Sequence, residues 1–468
     1  MLLDEAYVVP SGAQGGAGAK GGAGGVGAQS GVVTEGAPRP GEGSGIAWLR
    51  SRVVRFSEGA DHARRRGVVV RVLSGVDPAD LRRPGDPVAV LAEALGVPRS
   101  VTRDVTAVAR CYHPHVPVEP GADGAVARLV AAFGGVWDEE TANRIGLLVQ
   151  ACAATRALIA GAEPPVPVTR RVAPGGEVVE VDLRGAEFGA GRHACPGREH
   201  ALALAEGARL FHRLHDDFLV LPNAWDFASA AAFVRAGFPA VGTTSLGVAA
   251  AHGLPDAAGV AREEAVALAR LLVRLPVPIT VDVEAGFDRA GFGRAGAAWA
   301  GGGGDVRELA AELHELGVAG VNVEDGRGDR LADPADHAAV VRAFKEAAPG
   351  LFVNARVDAH WLGVDRGSTL DRARRYVDAG ADGVFVPGLR DERGIVEVVA
   401  AVPVPVNVLA QGDVGRLREL GVRRVSTGSL PFRAALGAAV RTALAVRDGG
   451  RDPDEVPGYA EVQGLLDL

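Results

Sequence analysis

Residues 278–287 read PITVDVEAGF. A proline opens the stretch, an almost wholly apolar run fills it, and two carboxylates, Asp282 and Glu284, stand at its end. A short apolar run bounded by proline and glycine is the pattern of a parallel strand buried on both faces. Alternation through Val283 puts both carboxylates on one side of such a strand. Comparable runs lie on either side of it: FLVLPNA (218–224), AVGTTS (240–245), GVNVEDG (320–326), FVNARVD (352–358), GVFVPG (383–388), VPVNVLA (404–410) and RRVSTGS (423–429). Amphipathic stretches such as DVRELAAELHELG (305–317) and TLDRARRYVDAG (369–380) separate them, each ending on a glycine as helix C-termini do. About eight βα units over roughly 240 residues predict a (β/α)₈ TIM barrel, with a doubly wound open sheet as the alternative.

Working outward, the chain of 468 residues has room for two domains plus tails. Residues 1–45 are Gly/Ala-rich and predict a disordered tail. Residues 46–207 predict a mainly α domain, with helix-like segments PVAVLAEAL (87–95), GAVARLVAAF (124–133) and ETANRIGLLVQACAATRALIAG (140–161). The barrel is expected over 208–448, interrupted by a Gly/Ala insertion at 289–304, and a C-terminal tail over 449–468. A formal charge of −8 argues against a nucleic-acid or acidic-membrane partner. Apolar stretches are broken by Arg or Asp, so no membrane span is expected. Three cysteines without paired spacing fit a reducing, cytoplasmic location.

In such a barrel the chemistry gathers at the C-terminal ends of the strands. Asp282 and Glu284 end the third, Glu324 and Asp325 the fourth, and Asn354, Arg356 and Asp358 lie on the fifth. Converging carboxylates repel one another unless a cation sits among them, and Mg²⁺ is the natural hard ion for oxygen donors. Arg356 offers a planar fork for a substrate carboxylate or phosphonate.

The stretches LPNAWDFASA, GTTSLGVAAAHGLPD, TVDVEAGF, GVNVEDG, NARVD, GADGVFVPG and PVNVLA, in that order over about 209–447, resemble the isocitrate lyase/phosphoenolpyruvate mutase superfamily. The resemblance implies that Asp282 binds Mg²⁺, with Glu284 and Glu324 acting mostly through metal-bound water. It implies a substrate-carboxylate loop at Thr244, Ser245, Leu246 and Gly247, further substrate contacts at Arg356 and Asn407, and a gating-loop acid at Asp256. Catalytic roles then fall to Asp256, Glu324 and Arg356. The implied reaction is lyase or mutase chemistry on a 2-oxo or 2-hydroxy (di)carboxylate or phosphonate through an enolate, in a homo-oligomer (dimer or tetramer) assembled through the barrel. The segment after the fourth strand, EDGRGDRLADPADHAAVV, holds neither the lysine and cysteine of the isocitrate lyase lid nor the lysine and asparagine of the mutase lid.

A second resemblance lies upstream. FGAGRHACPG (188–197) is similar to the cysteine loop of cytochromes P-450, FSEGADHARRR (56–66) to their propionate-binding helix, and LLVQACAATRALI (147–159) to their distal helix. It implies haem ligation by Cys195 in a loop shaped by Phe188, Gly189, Gly191 and Gly197. It also implies haem contacts from His62, Arg66, His193 and Thr155. Ala154 stands where the family's distal acid is expected, and the chain reaches PPVPVTRRVA so soon after Thr155 that no room is left for the helix holding the family's glutamate-x-x-arginine pair. The chain therefore reads as a fusion of a reduced cytochrome P-450-like domain with a barrel. A haem-thiolate monooxygenase using the barrel as scaffold, and a non-catalytic haem sensor, are the alternatives.

Overall fold

The computed structural model describes residues 44–174, 176–287, 303–449 and 456–467. The tail expected over 1–45 and the insertion at 289–304 fall almost wholly outside the described residues, as does part of 449–468. The chain divides into two compact units, residues 1–207 and 208–468. No described helix is long and apolar enough to cross a membrane.

The first unit is mainly helical. Its helices include Gly45–Arg52, Gly59–Ser74, Pro87–Ala94, Thr102–Arg110, Ala122–Ala132, Glu139–Ile159 and Arg198–Ala208. Local chemistry sets their starts. Asp86 accepts hydrogen bonds from the amides of Val88 and Ala89, with Pro87 in the first turn, where its missing N–H costs nothing. Asp138 accepts from the Thr141 amide and opens the long helix Glu139–Ile159. The helices close over a core that includes Leu49, Val105, Leu129, Ile145 and Leu148, all fully buried. One antiparallel hairpin, β1 (Val168–Val172) with β2 (Val178–Asp182), precedes the cysteine loop.

The second unit is the barrel. Its strands are β3 (Leu219–Leu221), β4 (Asn223–Ala224), β5 (Val241–Thr243), β6 (Ile279–Asp282) and β7 (Gly320–Glu324), then β10 (Phe352–Arg356), β11 (Gly383–Phe385), β12 (Val406–Leu409) and β13 (Arg424–Ser426); a small antiparallel pair, β8 (Gly326–Arg327) with β9 (Arg330–Leu331), follows β7. Neighbours in the main sheet run β3-β13-β12-β11-β10-β7-β6-β5-β4, all pairings parallel. β3 and β4 are one expected strand, FLVLPNA, broken at Pro222. Proline cannot donate to a ladder, so it separates the part that pairs with β13 from the part that pairs with β5. That split strand brings the sheet round on itself. Fully buried Val241, Val281, Val321, Val323, Val353, Val384, Val408 and Val425 show why the strands read as apolar runs. Phe211, Leu219 and Phe352 form a small separate cluster, with His215 stacked on Phe352 at 4.3 Å.

Candidate active site

β6, β7 and β10 are neighbours, and their register sets Asp282 opposite Asn322 and Arg356 opposite Glu324. Three adjacent strand ends therefore deliver the expected carboxylates and the expected arginine to one place. Arg356 is held on two sides. Its Nη1 lies 2.7 Å from Glu324 Oε2, and its Nε donates to Asp358 Oδ1 at 2.6 Å. Its guanidinium lies 5.8 Å from the Phe385 ring and 5.9 Å from the Trp361 ring. These contacts leave Nη2 as the prong with no recorded partner of its own among the described residues.

Asp358 is held in turn. Its amide donates to Asp325 Oδ1 at 2.8 Å. Asp325 Oδ2 accepts from the Tyr376 hydroxyl at 2.7 Å and from Arg372 Nη1 at 3.1 Å. Asp325, Asp358, Tyr376 and Arg372 are all buried. Asp325 thus lies behind the site and braces it. The sequence placed Asp325 and Asp358 at strand ends but carried no signal for Tyr376 or Arg372, which come from a helix starting 45 residues after Glu324.

Asp282 receives the Glu284 amide at 3.2 Å and the Ser245 backbone amide. Its own amide donates to Thr243 Oγ1 at 2.9 Å. The alternation expected through Val283 stops at Asp282, where β6 ends. Glu284 has φ +49°, in the left-handed region, so it leaves the strand direction. It is fully buried, and its Oε2 accepts from the Gly259 amide at 2.7 Å. Gly259 belongs to the loop that carries the exposed Asp256, whose charge reaches both Asp282 and Glu284.

The expected substrate loop is the start of helix Ser245–Ala251, with Thr244 as its N-cap. A side chain at Gly247 would collide with Trp225 and Thr244, each within 2.8 Å of an added Cβ. Asn407 on β12 faces the barrel interior, where its amide donates to Ser426 Oγ at 3.1 Å. Arg424, which the sequence reading passed over, is also interior. It is 1% exposed, bonds Ser426 Oγ and Asn322 Oδ1, and leaves Nη1 without a partner. An arginine inside an apolar strand was the available signal.

Electrostatically the site has an excess of acid. Burial pushes Glu284 up to about 7, reinforced by Asp282 and Asp256 and opposed by the Gly259 amide. Burial also raises Glu324, to about 8, with Asp358, Asp282 and Glu284 adding to the rise and Arg356 opposing it. Asp282 is raised by burial, against the pull of Arg356. Burial works against the charge on Arg356, yet Glu324, Asp358 and Asp282 hold its pKa above the ordinary arginine value. Arg356 and, at Asp282, the interior Arg424 leave the carboxylates Asp282, Glu284, Glu324 and Asp358 in excess, and a further cation would relieve them. Among the described residues no three carboxylates, histidines or cysteines converge as direct ligands. Glu324 is committed to Arg356, and one oxygen of Glu284 to Gly259. The donors present fit an ion held directly by Asp282 and completed by water and substrate oxygens, a coordination Mg²⁺ favours.

In the first unit, a cavity of about 600 Å³ is lined by His62, Arg66, Thr155, Phe188, Gly189, His193, Cys195 and Gly197. Those are all the expected haem residues except Gly191. The loop is tight: Gly189 and Gly191 have positive φ, and the Cys195 amide donates to Phe188 O at 2.7 Å. Arg66 Nη1 donates to Ala194 O at 2.8 Å. The His62 and His193 rings meet at 4.5 Å. Burial raises the Cys195 thiol, against the Gly197 amide, Arg66 and Arg55. Cys111 and Cys152 are buried in the same unit.

The barrel with this acid-rich rim defines a lyase/mutase of the phosphoenolpyruvate mutase/isocitrate lyase superfamily, and comparison with known proteins agrees. The family model for phosphoenolpyruvate phosphomutase matches residues 211–447. An uncharacterized protein of Mycobacterium tuberculosis (strain ATCC 25618 / H37Rv) is 44% identical over 262 residues, 55% of this chain and 95% of its own. The 2-methylisocitrate lyase of Bacillus subtilis (strain 168) is 31% identical over 201 residues, 41% of this chain and 62% of the lyase. The phosphoenolpyruvate phosphomutase from Streptomyces platensis subsp. rosaceus superposes with a TM-score of 0.49 at 23% identity, over 56% of this chain and 95% of that one. The chain belongs to the phosphoenolpyruvate phosphomutase family.

Proposed function

We propose that the barrel is a Mg²⁺-dependent lyase acting on a 2-oxo or 2-hydroxy dicarboxylate through an enolate. The observation that carries this reading is the excess of buried carboxylate around one clamped arginine. Mg²⁺, held by Asp282 and reached through water by Glu284 and Glu324, would supply positive charge against the enolate oxygen. The free Nη2 of Arg356 takes a substrate carboxylate, and its fixed plane orients the bond to be broken. Glu324, lifted toward neutral pH, is suited to hold or release a proton at the departing group. Asp256, on its exposed loop, closes over the bound acid and keeps water out.

The segment after β7 forms the pair β8–β9 and holds neither the lysine nor the cysteine that the resemblance to isocitrate lyases would place there, and no cysteine lies in the barrel. The reading therefore favours cleavages that need no thiol acid. Names among the relatives direct the first trials: 2-methylisocitrate lyase, and an oxaloacetate decarboxylase of Pseudomonas aeruginosa (strain LESB58), 30% identical over 149 residues. The test is a screen of 2-oxo and 2-hydroxy dicarboxylates, oxaloacetate first, with Mg²⁺ and with EDTA, following pyruvate or glyoxylate. Product release that EDTA does not reduce would remove the metal from the proposal.

A second reading concerns the first unit, because its expected haem residues line a single cavity. Cys195, with the Gly197 amide directed at its sulfur, fits a thiolate ligand, and His62, Arg66 and His193 fit propionate contacts. Haem, when bound, would supply thiolate-ligated iron for oxygen chemistry or sensing. Hemin added to the purified protein should give a Soret band, and the reduced carbon-monoxide complex a long-wavelength band that Cys195→Ala abolishes. No Soret band with excess hemin would end this reading.

A further inference from the structure

The barrel interior holds a positive charge that the proposed chemistry does not use. Arg424 opens β13, which stands diametrically opposite β7: β12, β11 and β10 separate them on one side, and β3–β4, β5 and β6 on the other. Its Nη2 reaches across the barrel to Asn322 Oδ1 at 3.2 Å, and its Nε donates to Ser426 Oγ at 3.1 Å. Asn322 is the register partner of Asp282, so the guanidinium ends beside the strand position of the carboxylate proposed to hold the metal. The buried Phe211 ring lies 5.9 Å from it. Neither acceptor depends on Arg424. Asn322 Oδ1 also accepts from Asn354 Nδ2 at 2.9 Å, and Ser426 Oγ from Asn407 Nδ2 at 3.1 Å. Nη1 is buried without a partner. A buried guanidinium with an idle prong costs stability, and an apolar side chain of similar size commonly costs less. What an apolar side chain cannot supply is the charge. Burial lowers the Arg424 pKa to about 9, against the pull of Asp282, so that charge is present at neutral pH. His215, packed on the same Phe211 ring, is kept neutral, at about 3, by burial and by Arg424.

Resting on the Mg²⁺-dependent reading of the barrel, we propose that Arg424 is a positioning residue whose fixed positive charge beneath the site favours the anionic substrate over the bare metal ion. Charges act on one another most strongly where solvent is excluded. Arg424 therefore weakens Mg²⁺ taken up alone and strengthens a dicarboxylate taken up beside it. It does so through its field, without touching substrate or metal.

The test titrates the full-length chain by calorimetry with Mg²⁺ alone, then with malonate in saturating Mg²⁺, beside the turnover screen. Arg424→Met should tighten Mg²⁺ and weaken malonate, each by about threefold or more. Arg424→Lys, which keeps the charge, should lie close to the wild type. An arginine that served only the fold would move both affinities the same way, and lysine, which cannot reproduce its fork, would not restore them. Arg424→Met should also leave the thermal midpoint unchanged or higher. If that variant does not fold, Arg424→Gln, neutral and polar, should show the same opposed shifts. Opposed shifts in a protein that turns over no dicarboxylate would uphold the role of Arg424 and end the lyase reading instead. Turnover with Mg²⁺, but affinities that stay put or move together in the neutral variants, overturns the inference and leaves the lyase reading standing. So does an Arg424→Lys protein displaced as far as Arg424→Met. A wild type that binds neither Mg²⁺ nor malonate overturns both.

Discussion

Single side chains in the barrel carry opposed demands. Asp282 and the unpartnered Oε1 of Glu284 are the carboxylate groups open to a metal, since Glu324 faces Arg356. Asp282→Ala should abolish turnover while leaving the far-ultraviolet circular dichroism unchanged, because a strand-end truncation removes little packing. Retained activity would exclude Asp282 as the metal residue. Arg356→Lys should raise KM at least tenfold, since an ammonium cannot span Glu324 and Asp358 and still present a free prong. An unchanged KM would make Arg356 structural. The raised carboxylates also predict a pH dependence. A carboxylate whose folded pKa lies above its unfolded value binds its proton more tightly when folded. It therefore destabilises the fold as pH rises from the unfolded value near 4.5 through the folded values of about 7 for Glu284 and about 8 for Glu324. Mg²⁺ replaces the lost protons, so its lift in thermal midpoint should be larger at about pH 8.5 than at about pH 5.5. Equal lifts would mean the ion binds elsewhere.

Elements hold these side chains in place through contacts across the barrel rim. Asp325 ties the end of β7 to the start of helix Ala359–Leu362, through Asp358, and to helix Thr369–Asp378, through Tyr376 and Arg372. Tyr376→Phe deletes one hydrogen bond to a buried carboxylate and should cost about 1–3 kcal/mol of stability in urea unfolding. Because Asp325 also positions Asp358, and Asp358 positions Arg356, the same change should raise KM more than it lowers kcat. Stability within about 0.5 kcal/mol of wild type would show that Arg372 suffices as partner for Asp325.

Each unit has its own buried core, one within residues 46–204 and the other within 224–465. Cys195→Ala should accordingly leave the barrel reaction intact. Helix Leu430–Arg447 has only Phe432 buried. Leu436, Val440 and Leu444, four residues apart, form one apolar stripe at 52%, 59% and 42% exposure. If a second copy of this chain covers that stripe, Leu436→Glu with Val440→Glu should dissociate the pair in sedimentation velocity, and a wild type that sediments as a monomer would exclude that occupant.

The βα alternation, the eight apolar runs and the acids at their ends were legible in the sequence, because buried parallel strands impose composition locally and loop acids interrupt it. The cysteine loop was legible for the same reason, since its glycines answer a local backbone need. Legibility ended where geometry depends on distant residues. Alternation placed Glu284 beside Asp282 on one face, but the strand stops at Asp282, two residues earlier, and Glu284 turns to the Gly259 amide. The sequence named Arg356 as a substrate residue; only the pairing of β7 with β10 showed that Glu324 and Asp358 hold it from both sides. Tyr376 and Arg372 carried no motif; they meet Asp325 only because helix Thr369–Asp378 packs behind the end of β7, and such a brace can be recognised only once both elements have positions.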